Sequence, residues 1–186
     1  MNRAKGPVSA VLAAAVWVMG IHGSATAVAA SAEEIDIKVD AALEEFKAEV
    51  AGGAEFLERA KGVLVFPNVV KAGLIVGGEH GSGALRVGGK SVAYYSTTAG
   101  SIGLQAGAQS KSEVIVFLTE EALDAFQAAS GWEAGVDGNI AVVEWGAGDS
   151  ATTVSAKDPI VGFVFGNKGL MLDVSFEGSK YKKLDL

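Results

Sequence analysis

The chain has 186 residues, is 49% hydrophobic, carries a formal net charge of −7 and contains no cysteine. That length suffices for one domain with its own core. The composition excludes disulfides and thiolate metal sites, and the acidic balance argues against nucleic acid, whose phosphates demand a basic face.

The first thirty residues read as a targeting segment. Arg3 and Lys5 form a short basic region, Val8 to Ile21 is an apolar run interrupted by Ser9 and Gly20, and Ser24-Ala-Thr-Ala-Val-Ala-Ala-Ser-Ala32 offers several Ala-x-Ala cleavage sites. This order predicts a secretory signal peptide over residues 1–30, with a single domain over residues 31–186. The apolar run falls short of the ~20 residues a spanning helix needs. With no cysteine for a lipoprotein anchor and no twin arginine, export by the general route is expected. Loss of Arg3 and Lys5 takes the net charge from −7 to −9. No other long apolar run follows, so the expected product is soluble or peripheral, in the periplasm or cell envelope.

Glu33 to Val50 places Ile35, Val39, Ala42, Leu43, Phe46 and Val50 on one face at helical spacing. Ser31 is the expected N-cap, and Glu33 and Glu34 complement the helix dipole. Gly52-Gly53 separates this helix from a shorter one, Ala54 to Lys61, with Phe56, Leu57 and Ala60 inward. From Gly62 the period changes. Val63 to Phe66 reads as a strand halted by Pro67-Asn68. Ala72 to Gly78 and Gly83 to Val87 read as short strands broken by Gly77-Gly78 and by a Gly88-Gly89 hairpin. Ser91 to Ser96, Ser101 to Gln109 and Glu113 to Leu118 continue the series. Thr119 caps a further helix, Glu120 to Ala129, with Leu123 and Phe126 inward. Asn139 to Trp145, Ile160 to Phe165 and Leu170 to Glu177 finish the sheet, and Gly146 to Lys157 reads as a loop. The alternation of Leu170, Leu172, Val174 and Phe176 with polar residues suggests one dry and one wet sheet face. The expected fold is α+β: an N-terminal helical hairpin on a curved, glycine-rich antiparallel sheet tending to a barrel, with one more helix near residues 120–130.

Tests for catalysis fail. His80, the one histidine beyond the leader, sits in a glycine-rich turn, Gly77-Gly-Glu-His-Gly-Ser-Gly83. Ala99-Gly-Ser-Ile-Gly103 only echoes a nucleophile elbow, and no histidine follows its serine. Gly78 to Gly83 neither opens a helix nor precedes a P-loop lysine. Asp137-Gly-Asn139 lacks the further oxygens of a calcium loop. A non-enzymatic protein without cofactor or metal is expected. The lysines stand out instead: Lys61 at a helix–strand junction, Lys71 and Lys168 in turns, and Lys180, Lys182 and Lys183 clustered near the C-terminus. Together they form a discontinuous basic patch suited to lipid phosphates, although each alone is compatible with an ordinary solvated lysine. Tyr94, Tyr95 and Trp132 fit either a membrane interface or the core and its rim.

Val65-Phe-Pro67, Gly81-x-Gly83, Gly100-Ser-x-Gly-x-Gln-x-Gly107, Trp132-x-x-Gly-Val-Asp-Gly138, and Lys168-Gly-Leu170 with Glu177-Gly-Ser179 occur in this order. In these blocks the chain resembles the SYLF-domain family, from about Ser31 to the C-terminus. The resemblance implies binding of membrane phospholipid. Eukaryotic relatives often carry an SH3 domain and bundle actin; for an exported, bacterial, stand-alone domain actin binding is not expected. In some relatives an N-terminal amphipathic segment contributes to phosphoinositide binding. Its counterpart here, Glu33 to Val50, has a Glu-rich polar face. Two functions therefore emerge: a peripheral protein of the envelope that binds anionic phospholipid, or a structural or protein-interaction domain without lipid binding.

Cleavage between Ala27 and Ala32 is the expected processing. Mass spectrometry of protein recovered from the envelope checks it, and an intact Met1 terminus in the mature pool would refute it.

Overall fold

The computed structural model describes residues 31–73, 76–102, 108–143, 158–165 and 175–186. Chain order is α1 (Ala32–Glu49), α2 (Gly53–Arg59), β1 (Gly62–Gly73), β2 (Val76–Val87), β3 (Lys90–Ile102), β4 (Ala108–Phe117), α3 (Glu120–Ala128), β5 (Trp132–Glu133), β6 (Ala141–Val143), β7 (Ile160–Phe165) and β8 (Lys180–Leu184). The eight strands form one curled sheet in the order β5-β8-β3-β2-β1-β4-β7-β6. The fold is α+β. All described pairs are antiparallel except β6 with β7, so the sheet is mixed rather than purely antiparallel.

Both longer helices begin where local chemistry dictates. The Ser31 side chain accepts a hydrogen bond from the Glu34 amide at 3.2 Å, and the Thr119 hydroxyl accepts one from the Ala122 amide at 3.2 Å. Each satisfies an amide that the first helical turn leaves without a partner. At the other end of α1, Gly52 takes φ 76°, a left-handed value that suits glycine and turns the chain into α2.

The sheet is dry on both faces where β1, β4 and β7 meet, contrary to the expectation of one wet face. One side receives Ile35, Val39, Ala42 and Phe46 of α1 against Val63, Val65, Val114, Val116, Val161 and Phe163. The other receives Leu123 and Phe126 of α3 against Leu64, Phe66, Leu85, Ile115 and Phe117, with Tyr95, Trp132, Phe176 and Tyr181. Helices on opposite faces make a continuous apolar run such as Val63 to Phe66 necessary, because every residue in it is buried. These are called the α1 face and the α3 face below.

Pro67-Asn68 does not end β1. It forms a bulge: against β2, β1 advances four residues from Val65 to Val69 while β2 advances only three, from Ala84 to Gly81. Proline has no N–H for the ladder, and a bulge is where a central strand tolerates it. The Ser112 hydroxyl donates to the Pro67 carbonyl at 2.9 Å, and the Ser110 hydroxyl to the Asn68 side chain. The displaced backbone presses on β2. A Cβ at Gly81 would lie 2.9 Å from the Asn68 carbonyl oxygen; one at Gly83 would collide with the Val65 carbonyl and come within 2.7 Å of the Phe66 ring. Gly77-Gly78 likewise does not interrupt β2, which runs unbroken through Gly81-x-Gly83 because β1 and β3 pair it on both sides. Gly88-Gly89 is the expected hairpin, with φ 57° and 77°.

Two other expectations change. Of the strand expected over Leu170 to Glu177, residues 175–177 are non-strand and turn, and residues 170–174 lie outside the described residues, as does the loop expected over Gly146 to Lys157. The last strand is instead β8, which pairs with β3 through Tyr94–Leu184 to Thr98–Lys180. Residues 1–30, the expected signal peptide, also lie outside the described residues.

Phe66 is fully buried, its ring centroid 5.7 Å from that of Tyr181. Phe66→Ala is expected to cost about 3–5 kcal/mol, and Gly83→Ala to destabilise without removing any contact. Chemical-denaturation midpoints check both; an unchanged midpoint for Gly83→Ala would contradict the close approach of β1 to β2.

Candidate functional site

Alternate residues of β4 share a face. Ile115 and Phe117 belong to the α3-side core, so Lys111 and Glu113 continue a buried row into charge. The Lys111 ammonium lies 2.6 Å from Glu79 Oε2 and 3.0 Å from Glu113 Oε1, and Lys71 lies 3.5 Å from Glu79 Oε1. Cross-strand register assembles the group: Lys71 pairs with Glu79, Val69 with Lys111, and Phe66 with Glu113. Two lysines and two carboxylates balance. The Lys111 and Glu113 side chains are only 8% and 4% exposed.

Burial pulls the Lys111 pKa down, but the charges and hydrogen bonds of Glu113 and Glu79 outweigh it and leave it above the ordinary lysine value. Glu113 also moves up: burial raises its pKa, Lys111 opposes this incompletely, and the Glu79 charge adds to the rise. The asymmetry is physical, since Lys111 has two carboxylates beside it and the deeper Glu113 has one lysine. Among the described residues, Glu113 Oε2 and the Tyr181 hydroxyl are buried without hydrogen-bond partners. The Tyr181 pKa stands well above its ordinary value, through burial first and the Glu113 charge second. Ser179 and Thr97 flank it, outside hydrogen-bond geometry, and act in the opposite direction.

A second polar group fixes α1 to the sheet. Asp36 accepts from the hydroxyls of Ser91 at 2.5 Å and Tyr94 at 2.9 Å, while Arg86 reaches Asp40 at 2.7 Å. Tyr94 is thereby committed to the core rim. Tyr95 and Trp132 are buried around Phe126, at 5.0 and 5.6 Å between ring centroids, which decides the aromatic alternatives for the core. Asp137 closes its own turn by accepting from the Glu133 amide at 2.7 Å. His80 is an exposed residue of β2, opposite Val70.

The candidate lysines do not form one patch. Lys180, Lys182 and Lys183 come together on β8, all exposed; Lys180 pairs with Glu133 at 3.1 Å, and neither Lys182 nor Lys183 has an ion-pair partner among the described residues. Lys71 points into the buried network on the α3 face. Lys61 sits at the opposite end of β1, 3.4 Å from Glu120. Lys168 lies outside the described residues. Sequence reasoning missed Glu79, Lys111 and Glu113, although the i, i+2 extension of a dry strand face into Glu113 and Lys111 was a usable signal.

Residues 98–185 match the model of the Ysc84 family, described as Las17-binding protein actin regulator. Over that stretch, 88 of the 186 residues, the chain is similar to the SYLF-domain family. The matched stretch contains Lys111, Glu113, Tyr181 and all of β8, whereas Val65-Phe-Pro67 and Gly81-x-Gly83 precede it. No curated protein matches the chain. Among the described residues, no helix is long and apolar enough to cross a membrane.

The raised Glu113 pKa sets a pH signature. A carboxyl that holds its proton more tightly folded than unfolded contributes most below the ordinary glutamate range, and that contribution is lost as pH rises through the raised value. Glu113→Gln, which mimics the protonated form, is expected to gain stability over wild type at neutral pH. The gain should shrink as pH falls toward the ordinary glutamate range. Melting temperatures of both proteins across that range test it; parallel profiles would refute it.

Proposed function

We propose that this SYLF-domain protein is a non-enzymatic, peripheral protein of the cell envelope that binds anionic phospholipid through β8. The observation that carries the reading is the run of exposed lysines Lys180, Lys182 and Lys183 on one strand, within the segment that matches the family. A lysine close to an anionic bilayer contributes roughly 1 kcal/mol. The body of the molecule is acidic, so binding is modest and salt-sensitive. Lys71, held in the buried network, and Lys61, paired at the far end of β1, contribute little. The leader pattern in residues 1–30 supports the envelope location. A protein-interaction domain without lipid binding is the second reading, favoured by a family description that names a protein partner.

Reversing Lys180, Lys182 and Lys183 to Glu is expected to abolish co-sedimentation with anionic liposomes without changing the melting temperature. Wild-type binding should fade by a few hundred millimolar salt, as the screening length contracts toward ~3 Å at 1 M. A triple variant that co-sediments like wild type removes β8 as the site. A wild type that ignores every liposome leaves the interaction domain.

A further inference from the structure

We infer that a single buried water molecule bridges the Tyr181 hydroxyl and Glu113 Oε2, clasping β8 to β4 across the hollow of the curled sheet. This bridge is independent of the lipid reading above. Among the described residues, three buried side-chain atoms have no hydrogen-bond partner, and two of them are these. They belong to strands that a flat sheet would hold far apart. β3, β2 and β1 lie between β8 and β4, so the span is four spacings of ~4.8 Å, or about 19 Å. The curl removes that separation. The Tyr181 ring centroid lies 5.7 Å from that of Phe66 on β1, and Phe66 pairs with Glu113 on β4. Tyr181 therefore crosses the α3 face to the neighbourhood of Glu113. Burial first, and the Glu113 charge next, hold its pKa well above the ordinary value.

The chemistry at this point selects the occupant. Glu113, Tyr181, Thr97 and Ser179 are each at most 5% exposed. Thr97 pairs with Tyr181 across β3 and β8, and Ser179 lies two residues before it, both flanking its hydroxyl. A carboxylate oxygen only accepts, whereas a phenol donates and aliphatic hydroxyls do either. One water meets all of them. It accepts from Tyr181, donates to Glu113 Oε2, and keeps one donor and one acceptor for Thr97 and Ser179. Buried waters make about three such bonds. A cation is disfavoured, because the Lys111 ammonium already lies between Glu79 and Glu113, at 2.6 and 3.0 Å. Among the described residues, no three carboxylate or histidine side chains gather to hold a metal ion. An anion would meet the Glu113 carboxylate. Lys71 and Lys111 balance Glu79 and Glu113, so a neutral molecule that both donates and accepts fits the charge as well.

Energetics point the same way. A buried polar atom without a partner is costly, and more so when it carries charge. Here two would stand close together. A shared water relieves both at once for the modest cost of immobilising one molecule. The bridge also steadies β8. That strand is only five residues long, and Tyr181 is its one fully buried side chain. Lys180 and Lys182 flank Tyr181 directly. A hydrogen bond at the tip of its ring therefore holds in place the segment that presents the exposed lysines.

High-resolution crystallography of the protein and its Tyr181→Phe variant tests the bridge. Wild type is expected to show one water about 2.7–3.2 Å from both the Tyr181 hydroxyl and Glu113 Oε2. Tyr181→Phe keeps the ring and its packing, yet that water should be lost. Oxygen-17 relaxation should then count one long-lived water fewer in solution. The variant should melt about 2–4 °C lower, the shift that one lost hydrogen bond produces in a domain of this size. Amides of β8 should exchange faster in it than in wild type. A hydroxyl with no partner predicts the opposite sign, because its removal relieves a buried polar atom. A variant that melts no lower than wild type therefore overturns the bridge. So does a direct hydrogen bond from Tyr181 to a protein group, or density at this point that refines as an ion.

Discussion

The bulge at Pro67-Asn68 is the constraint on which the rest of the sheet depends. One extra residue in a central strand reverses the in–out alternation beyond it. Without it, Phe66 on the α3 face would be followed there by Asn68 and Val70. With it, Val69 and Lys71 take that face and meet Gly81, Lys111 and Glu79 across the ladder. The dry core closes on Val69, and the first buried charge beyond finds a partner in register. Gly81 and Gly83 are the price of that displacement, since the bulged backbone occupies the space a side chain would need.

Above and below the bulge the molecule has different chemistry. Below it, helices cover both faces, every β1 residue from Gly62 to Phe66 is buried, and the charge is carried outward on helical surfaces. Above it, the sheet emerges from between its helices, Lys71, Glu79, Lys111 and Glu113 neutralise one another on the α3 face, and Val70, His80, Thr98, Ser110 and Lys180 stand exposed on the α1 face. The buried ion network is thus more than a stabilising contact. Buried ion pairs often add little net stability once their desolvation is counted. What this one does is hold four charges against one another on the α3 face of the sheet.

Legibility in the sequence followed the range of the interactions involved. The helices were readable because their signals are local: Ser31 and Thr119 cap within three residues, and the apolar stripe of α1 repeats within a turn. The bulge was not, because Pro67 alone is a strand breaker, and only the partners β2 and β4 decide that the chain continues. Nor was β8: Lys180-Tyr-Lys-Lys-Leu184 reads as a charged tail until β3 supplies its ladder and the core takes Tyr181. Of the candidate site, the three clustered lysines were legible as a group, whereas the separation of Lys61 and Lys71 from them depends on strand order. The Glu79–Lys111–Glu113 network joins residues from separate strands, with the bulge setting its register, so composition and spacing pointed only to its β4 half.

The pairing of β3 with β8 also bears on how the chain reaches this state. Ser96 and Lys182 lie 86 positions apart, so one long edge of β3 stays unsatisfied until almost the whole domain has been assembled. Pairing of such sequence-distant strands is slow, and an open strand edge recruits other chains meanwhile. A late strand that carries three lysines counters that hazard. Its charges resist docking with a second copy of itself, while β3 offers it a ladder and Phe66, Phe126 and Trp132 receive its Tyr181. The same lysines that face outward in the finished molecule thereby keep unfinished molecules apart.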